Sequence, residues 1–544
     1  MEDCGRVGVH QKGGKWRVSN SILPPFCCVS AQLKVLWTLL YSNQNLYTLT
    51  LFLLWFVIIS VNPKKIHNSF KILGNKRYDT QIGEIFGVQS KNIFLVKLFD
   101  DRKSIKKFDV VKFRYSMQDD EDYFIKGIVF DTYLLNQEKW AKVLQLVTEK
   151  RGQNILDKNI VYIISNSDEV SEAKKELLVD RLVGVVIEGS TIGKIKFEYS
   201  KMNDDIQEGD VLELKVGDRR LFYQVIGGIT ETEKLEARNE TGFIEGEALQ
   251  LGEWQVSQLS FQKFGWVPSV NTPVFKADTS DISVASLQKP LYKLGTIPGT
   301  TLPSVINLDE AVSHHIALLG VTGSGKSFLA QSLVEELLRD TKVICIDFTG
   351  EWKKKMSSEK FELIDNTSID TFLRGESNKL GVFELPSLSN TTDVLKETQG
   401  SLEILFKYAK EKYDSNSPTK VVLVLEEAHT ITPETNFLGD FGDYSTNKAL
   451  VNKMTQIALQ GRKYGVGLLV VAQRTANVSK TVLTQCNTVV CFQAFDETSF
   501  TFLGNYVGKD MVQALPNLLQ FHAVVAGKAV KSNMPMIIDL TRPS

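Results

Sequence analysis

Positive and negative charges nearly cancel in this sequence, so a strong excess of either sign is absent. The chain has 63 lysine and arginine residues against 64 aspartate and glutamate residues, and its formal net charge is −1. This balance excludes a globally basic nucleic-acid-binding protein, and any contact with nucleic acid would need a local patch of positive charge, such as the lining of a pore. The 544 residues, 43% of them hydrophobic, predict a globular chain of two or three domains.

Cysteine is scarce, and its spacing does not indicate a metal site. None of the six cysteines forms a CxxC pair or a cluster with histidine, which excludes the common zinc modules. We therefore expect small buried thiols in the reduced interior of the cytoplasm.

Charged residues are also absent from one long stretch near the amino terminus. Positions 35–63 hold 29 consecutive uncharged residues, enough to span a bilayer, and residues 36–61 are a candidate transmembrane segment. Lys64 and Lys65 follow directly and would leave the rest of the chain in the cytoplasm. Two alternatives stay open, a buried helix or a true start of translation downstream of this stretch. We expect a cytoplasmic protein, with an inner-membrane anchor as the alternative.

The region that follows shows a pattern that indicates an internal repeat. The segments beginning at Ile82 and Val183 align without a gap at an offset of 101 residues. In both, short stretches alternate apolar and polar residues between turn residues, which is typical of β-strands in small barrels. We therefore predict a barrel-like region at 76–237 with an internal duplication, and a short helix at 137–150 between the copies. The matching pairs include Gly83 and Gly184, Ile105 and Ile206, Asp109 and Asp210, and Gly127 and Gly228.

The carboxyl-terminal half has a different pattern. Hydrophobic runs such as HHIALLG, KVICIDF and KVVLVLE alternate with helical stretches, as expected of parallel strands buried on both faces. The predicted fold class of this half is therefore α/β, and a β-rich, barrel-like region precedes it. The expected parts are an amino-terminal extension at 1–75, the barrel region at 76–237, a connecting region at 238–306 and the α/β domain at 307–544.

The segment GVTGSGKS, Gly320 to Ser327, fits the phosphate-loop pattern GxxxxGK[ST] between a predicted strand and a predicted helix. Glycines let the backbone N–H groups of such a loop turn towards phosphate, and the helix directs its amino terminus at the same group. Lys326 should reach the β- and γ-phosphates of ATP, and Ser327 should bind Mg²⁺. The predicted nucleotide-binding residues are Gly320, Thr322, Gly323, Ser324, Gly325, Lys326, Ser327 and Phe328.

Three further predicted strands end in polar residues that could complete the site. In KVVLVLEEAHT, Glu426 would hold Mg²⁺ and Glu427 would polarise the attacking water, although the two roles could be exchanged. Asp347 ends another strand and is a further candidate for the metal site. Gln473 ends the third strand, where its amide could sense the γ-phosphate or position water. The alternative for each acid is a solvated surface carboxylate.

Basic residues near these strands have two interpretations. Arg462 and Arg474 flank one strand and are candidates for an arginine finger, which a neighbouring subunit would supply so that hydrolysis depends on assembly. A surface salt bridge is the alternative for each arginine. The run from Lys353 to Lys355 could face a pore, but a solvated charge run is the simpler interpretation.

Taken together, these stretches resemble the HerA family within the HerA/FtsK group of hexameric DNA-translocating ATPases. The resemblance spans residues 307–540 and includes the ordered motifs SHHIALLGVTGSGKS, CIDFTGEW, VLVLEEAHT, GRKYGVGLLVVAQRTANVSKTVLTQCNT and AVVAGKAV…PMIIDL. It implies a RecA-like core, a homo-hexameric ring, ATP and Mg²⁺ as cofactors, and movement of double-stranded DNA through a channel. It also implies a nuclease or other effector as partner. By the same resemblance Glu427 is the catalytic acid, Gln473 the sensor and Arg462 the finger.

Three functions therefore follow as hypotheses. The leading one is a cytoplasmic translocase or helicase for double-stranded DNA, acting with an effector in DNA end processing or defence against phage. The second is a membrane-anchored DNA pump of the conjugative-coupling or FtsK type, motivated by residues 36–61. The third is an ATP-gated scaffold that organises an effector enzyme through its barrel region.

Overall fold

The computed structural model divides the chain into two compact units, Met1–Asp79 and Thr80–Ser544. In the first unit, β1 (Gln11–Lys12) and β2 (Lys15–Trp16) form an antiparallel pair. The candidate transmembrane segment at 36–61 lies outside the described residues. Within the residues that are described, no helix is long and apolar enough to cross a membrane. The structure describes residues 11–12, 15–16, 80–90, 92–99, 105–116, 122–135, 137–150, 156–199, 206–231, 243–284, 286–377, 379–384, 391–438 and 443–541.

A closed barrel of six antiparallel strands begins the second unit. Its circular order is β3-β4-β7-β6-β5-β8, and its interior is filled by apolar side chains that alternate along the strands, such as Val111 and Phe113. The strands are β3 (Gln81–Ser90), β4 (Ile93–Leu98), β5 (Val110–Ser116), β6 (Asp122–Leu135), β7 (Glu138–Lys150) and β8 (Ile160–Ile163).

The predicted helix at 137–150 is wrong, because this stretch is β7. The strand pairs with β4 on one side and with β6 on the other. Ala141 and Val143 point into the barrel, whereas Leu144 packs in a different cluster outside it. The Glu and Lys content favours a helix locally, but burial of the apolar residues between two partner strands decides the outcome.

A second ring of six strands has the same circular order as the first. Its strands run β9-β10-β13-β12-β11-β15, because β10 pairs with β13 and β15 pairs with β9. The ring continues to Lys276, so the end that we expected at residue 237 falls inside it. The shared order is what an internal duplication would produce, and the duplication itself stays a prediction. The strands are β9 (Leu182–Val186), β10 (Lys194–Tyr199), β11 (Val211–Val216), β12 (Arg219–Glu231), β13 (Phe243–Gln255), β14 (Ser260–Gln262), which pairs with β13 outside the ring, and β15 (Pro273–Lys276).

The remaining strands form one 11-stranded sheet in the order β17-β16-β26-β25-β24-β18-β23-β22-β19-β21-β20. From β24 to β20 the neighbours are parallel, and the strands on the other side of β24 are antiparallel. The strands are β16 (Leu291–Thr296), β17 (Pro303–Asn307), β18 (Ile316–Leu319), β19 (Lys342–Asp347), β20 (Phe361–Leu363), β21 (Leu380–Glu384), β22 (Val421–Leu425), β23 (Val466–Ala472), β24 (Thr488–Cys491), β25 (His522–Gly527) and β26 (Met536–Asp539).

Helices of very different length accompany these strands. The helices are α1 (Ser167–Glu176), between the two rings, and then α2 (Leu308–Ser313), α3 (Lys326–Leu337), α4 (Trp352–Lys355), α5 (Ile369–Arg374), α6 (Thr391–Asp414), α7 (Ala428–Ile431), α8 (Tyr444–Tyr464), α9 (Lys480–Gln485), α10 (Glu497–Val507) and α11 (Lys509–Val512). Short 3₁₀ turns occur at Val179–Arg181, Thr435–Phe437, Thr475–Asn477 and Leu515–Asn517.

The parallel strands are buried on both faces, which explains their continuous hydrophobic runs. In β22, Val422 and Val424 pack in the cluster that contains α3, whereas Leu423 and Leu425 pack in the cluster that contains α6 and α8. Because the strands are parallel, their carboxyl ends lie at one edge of the sheet. The polar residues that follow β18, β19, β22 and β23 are therefore brought together.

Candidate functional site

The loop that follows β18 has a shape that only glycine permits at two positions. Gly320 and Gly325 have φ angles of 145° and 116°, in a region that other residues rarely adopt. A Cβ atom at Gly320 would lie 2.7 Å from the Cβ atom of Phe492. The glycines of the predicted motif are thus required by backbone conformation and by close packing, and the loop leads directly into α3.

Unpaired donors line this loop. The backbone N–H groups of residues 322–325 have no hydrogen-bond acceptor in the described part of the chain. Lys326 is buried, and its Nζ atom donates to the carbonyl oxygen of Val321 at 2.6 Å. Burial lowers the pKa of Lys326 to about 8, and the charges of Glu427 and Glu426 oppose that shift. Free amides beside a buried cation fit a phosphate group.

The two acids after β22 have different surroundings. Glu426 is buried, and its Oε2 atom accepts a hydrogen bond from the indole Nε1 of Trp352 at 3.2 Å. Glu427 has a φ of 51° and is the residue that directly precedes α7. Burial raises the pKa of both carboxyl groups, and the nearby charge of Lys326 is the main opposing influence at Glu427.

The Gln473 amide joins the phosphate loop to Glu427. The Thr322 hydroxyl donates to Oε1 of Gln473 at 2.6 Å, and Nε2 of Gln473 donates to Oε1 of Glu427. Gln473 is the residue that follows β23, so strand order alone places it between the loop and the acid. The three predicted residues therefore form one hydrogen-bonded chain.

An open cavity of about 450 Å³ lies against Glu427. The Nδ1 atom of His429 lies 3.2 Å from Oε2 of Glu427, and burial, followed by the charge of Arg474, lowers the pKa of His429. Neither of these two atoms has a hydrogen-bond partner among the described residues, so the neutral imidazole leaves the charge of Glu427 unpaired. The other residues that line the cavity are Thr430, Pro433, Phe437, Gln473, Arg474 and Asn477.

Arg462 does not lie in this site. It is exposed near the end of α8 and lines a small cavity with Gly465 and Val466, at the amino ends of β22 and β23. The seven residues of β23 separate that position from Gln473, a distance of roughly 20 Å at about 3.3 Å per residue. Within one chain, the structure brings Arg474 and not Arg462 to Glu427.

The Asp347 carboxylate is fully buried and holds a turn. Its Oδ1 atom accepts hydrogen bonds from the Thr349 N–H and hydroxyl and from the Gly350 N–H, and Oδ2 accepts from the Trp352 N–H, at 2.9–3.0 Å. These bonds fix the turn that presents Trp352 to Glu426. The metal role that we predicted for Asp347 remains a prediction, and the four bonds count against it.

Ser327 and Glu426 fit a magnesium ion by the nature of their ligand atoms. Mg²⁺ prefers oxygen and is commonly bound by one or two protein groups together with substrate phosphates. The residues that the structure describes include no group of three or more His, Cys, Asp or Glu side chains that could hold a metal alone. A magnesium ion bound by Ser327 and Glu426 would therefore need nucleotide phosphates as its remaining ligands.

Sequence reasoning missed two residues that contact the phosphate loop. Nε2 of Gln520 donates to the Gly323 carbonyl at 3.1 Å, and the Phe521 N–H donates to the Ser324 carbonyl at 3.0 Å. The Phe521 ring lies edge-on to the predicted nucleotide-binding residue Phe328, with ring centroids 5.7 Å apart. No local pattern marks this segment, because its role depends on contacts across the sheet.

Fold and site together define the class of the protein. A phosphate loop, a pair of acids after an adjacent strand and an amide that joins them are the parts of a P-loop ATPase. A comparison with known families supports this class. The model of the domain described as "Helicase HerA, central domain" matches residues 292–463.

Curated relatives similar to this chain carry the same helicase name. The chain is 27% identical over 225 residues to a DNA double-strand break repair helicase HerA of Saccharolobus solfataricus, a match that covers 38% of this chain and 42% of the relative. It is 25% identical over 175 residues to the protein of the same name from Pyrococcus furiosus, covering 32% of this chain and 29% of the relative. The chain thus spans less than half the length of these relatives.

Solved structures show more distant likeness. The pCW3 conjugation coupling protein TcpA is 14% identical and covers 66% of this chain and 87% of its own, with a TM-score of 0.35. The genome packaging NTPase B204 of Sulfolobus turreted icosahedral virus 2 is 17% identical and covers 42% of this chain and 97% of its own, with a TM-score of 0.31. Likeness at this level carries no argument about activity.

Proposed function

We propose that this protein is an ATP-driven translocase or helicase for double-stranded DNA, built as a homo-hexameric ring of RecA-like cores. The observation that carries the proposal is the chain of hydrogen bonds from Thr322 through Gln473 to Glu427. A nucleotide phosphate that enters the loop must rearrange this chain, so occupancy of the loop and the position of the acid are coupled. The relatives named as DNA double-strand break repair helicases support DNA as the substrate.

The chain's own residues have separate tasks in hydrolysis. The loop amides and Lys326 bind and orient the phosphates of ATP. Ser327 and Glu426 would hold Mg²⁺, which supplies positive charge at the phosphates when bound. Glu427 orients the attacking water and accepts its proton. When the Gln473 amide turns towards the γ-phosphate, its hydrogen bond to Glu427 breaks, and Glu427 can then bind that water.

The position of Arg462 supports assembly into a ring. In its own chain it lies roughly 20 Å from Gln473 along β23, whereas the cavity beside Glu427 and Arg474 is open. A neighbouring subunit that presents Arg462 to this cavity would add the positive charge that stabilises the transition state. Hydrolysis would then depend on assembly, as a motor that acts around a duplex requires.

The translocase is tested by ATP hydrolysis of the purified full chain with and without linear duplex DNA. We expect duplex DNA to raise the turnover number severalfold, and Lys326→Ala to abolish turnover in both conditions. Lys528→Ala is the matched control, because Lys528 is exposed and pairs with Glu310 away from the loop. Duplex DNA that neither binds the assembled wild-type protein nor changes its turnover contradicts the translocase.

A partner extends this proposal. A nuclease or another effector, with a role in DNA end processing or defence against phage, would use the two barrel rings as a docking surface. Pull-down of the native complex followed by mass spectrometry, with the full chain and with Glu427→Gln, tests this extension. Recovery of the assembled protein without any stoichiometric partner from both samples would contradict it.

A further inference from the structure

Two adjacent histidines precede β18, and the second joins separate parts of the core. The His314 ring stays with the helix before it, since its Nδ1 atom lies 3.1 Å from the Glu310 carbonyl oxygen in α2. The His315 side chain is buried, and its two ring nitrogens contact the backbones of α8 and β23. His315 thus bridges a helix and a strand that are both distant from it in the sequence.

Both partners of the His315 ring are backbone groups, and together they fix its protonation. Nε2 lies 2.9 Å from the Ala458 carbonyl oxygen, which can only accept, so Nε2 carries the proton. Nδ1 accepts a hydrogen bond from the Leu468 N–H at 3.0 Å, so Nδ1 carries none. Burial lowers the pKa of His315 and outweighs the opposing hydrogen bond to Ala458. The ring is therefore neutral, and it is held from two sides.

The contact with α8 lies one turn before Arg462. In an α-helix the carbonyl oxygen of a residue accepts a hydrogen bond from the N–H group four residues later, so Ala458 is the acceptor for Arg462. The imidazole of His315 contacts this same carbonyl oxygen. The bond at Ala458 therefore fixes the turn of helix from which the Arg462 side chain extends.

Close packing holds the same turn against β23. A Cβ atom at Gly461 would lie 2.7 Å from the Val466 carbonyl oxygen, so the missing side chain is what lets α8 approach the strand. Gly465, with a φ of 77°, ends the helix, and its N–H donates to the Arg462 carbonyl at 3.4 Å. The backbone around Arg462 is thus fixed, while its side chain is exposed.

We propose that His315 is a positioning residue for Arg462, because its ring holds the last turn of α8 on β23 and so sets the place from which the arginine reaches a neighbouring subunit. The inference rests on the proposed role of Arg462 as a shared finger. His315 directly precedes β18, which leads to the phosphate loop of its own chain, yet it would act at the site of the next subunit. A shift of about 1 Å in the turn would cost much of the effect of the finger, since catalysis depends on accurate placement.

ATP hydrolysis and nucleotide binding by variants of the full chain test the first consequence. His315→Leu removes both hydrogen bonds and should lower turnover by about tenfold or more, with nucleotide affinity within about threefold of wild type, because the finger is displaced and the loop is not. His315→Gln, whose amide can both accept and donate, should recover part of the lost turnover. His314→Leu is the matched control and should keep wild-type turnover, because the His314 ring contacts α2 rather than α8.

Mixed rings distinguish a positioning role from a general loss of structure. His315→Leu subunits keep Glu427, so they should regain turnover when mixed with Glu427→Gln subunits, which supply an intact finger. They should not regain it with Arg462→Ala subunits, because no subunit then supplies a well-placed arginine. If His315→Leu does not fold, Gly461→Ala gives the same comparison, because its Cβ atom would push the same turn away from Val466.

Three results would overturn the inference: unchanged turnover in His315→Leu, recovery with Arg462→Ala, or no recovery with Glu427→Gln. A mixture of Glu427→Gln with Arg462→Ala separates these failures from a failure of the proposed function. If that mixture is active, the unexpected results concern His315 alone. If it stays inactive, the shared finger fails, and the positioning role of His315 fails with it.

Discussion

The two ends of the parallel strands in the 11-stranded sheet differ in the groups that they offer to a nucleotide. The carboxyl edge is the side on which β18, β19, β22 and β23 end, and the amino edge is the side on which they begin. At the carboxyl edge, the phosphate loop, Glu427 and Gln473 are joined by hydrogen bonds, and a cavity lies open beside them. At the amino edge, Arg462 is exposed in a shallow pocket with Lys420 and Ser313. The carboxyl edge can bind phosphate but lacks the predicted finger, and the amino edge has the arginine without a phosphate site.

This difference shows why one chain is an incomplete catalyst under our proposal. A parallel sheet places all strand ends of one kind together, so polar groups at opposite ends cannot meet within a chain. They can meet when the amino edge of one subunit packs against the carboxyl edge of the next.

Arg462→Ala should lower the turnover number for ATP about 10³-fold, because an arginine finger stabilises the charge of the transition state. Nucleotide affinity should change little, since Arg462 lies far from the loop of its own chain. Steady-state hydrolysis and fluorescent-nucleotide binding check both expectations. Arg474→Ala is the control from the carboxyl edge, with an expected loss of less than about tenfold.

Mixed rings sharpen the same prediction. Subunits with Arg462→Ala keep Glu427, and subunits with Glu427→Gln keep Arg462, so some interfaces in a mixture hold both intact groups. Turnover should therefore reappear when the two inactive variants are mixed and reassembled. A mixture that stays inactive, or an Arg474→Ala variant that loses more than Arg462→Ala, would show that the finger is not shared between the two edges.

Glu427→Gln should lower the turnover number about 10²-fold or more while nucleotide affinity stays within about threefold, because the amide cannot accept a proton. Glu426→Gln should instead raise the Mg²⁺ concentration needed for half-maximal hydrolysis. Rates measured over a Mg²⁺ titration separate the two effects. The opposite pattern would exchange the roles of the two acids.

Gln473→Ala should lower turnover about tenfold, since one hydrogen bond to a charged group contributes on the order of 1.5 kcal/mol. The loss should fall on hydrolysis at saturating ATP, because alanine has no amide that can turn towards the γ-phosphate. Gln520→Ala is the matched control, since Gln520 contacts the loop at Gly323 but not the acid. A larger loss for Gln520→Ala would mean that loop geometry, and not the Gln473 amide, controls turnover.

The parts of the site that the sequence predicts are those with a local signal. The glycine spacing of the phosphate loop and the apolar run that ends at Glu426 and Glu427 depend on neighbours in the chain. Gln473 was found in the same way, as the first polar residue after an apolar run. Their meeting at one edge then follows from parallel strand order.

Features that depend on distant contacts were not predicted. β7 has helix-forming residues but is paired on both sides, and the second ring extends to Lys276 because β13 and β15 close it. Gln520 and Phe521 gain their contacts only after the sheet has formed. For such residues the sequence specifies the chemistry of the side chain, whereas packing decides whether it is solvated or buried.

The carboxyl edge also contacts the second barrel ring, and a pH-dependent stability should reveal that junction. Oε2 of Glu208 accepts a hydrogen bond from Asn517 at 3.2 Å, four residues before Phe521, and burial raises the pKa of Glu208 to about 7 from 4.5. Between these pH values the folded chain holds a proton that the unfolded chain has lost. The contribution of Glu208 to the free energy of unfolding is therefore greatest below about pH 4.5 and is lost as pH rises to about 7.

The free energy of unfolding should fall by about 1–2 kcal/mol over this pH range. This is less than the pKa difference alone implies, because solvent reaches part of the Glu208 side chain. Denaturant midpoints at pH 5.5 and pH 7.5 measure it, and Glu208→Gln should reduce the difference between them by that amount. Asn517→Ala removes the hydrogen bond that opposes the shift and should enlarge the difference. If the midpoints at pH 5.5 and pH 7.5 differ equally in the wild type and in both variants, the junction does not hold a buried, protonated carboxyl group. The prediction for Glu208 would then be wrong.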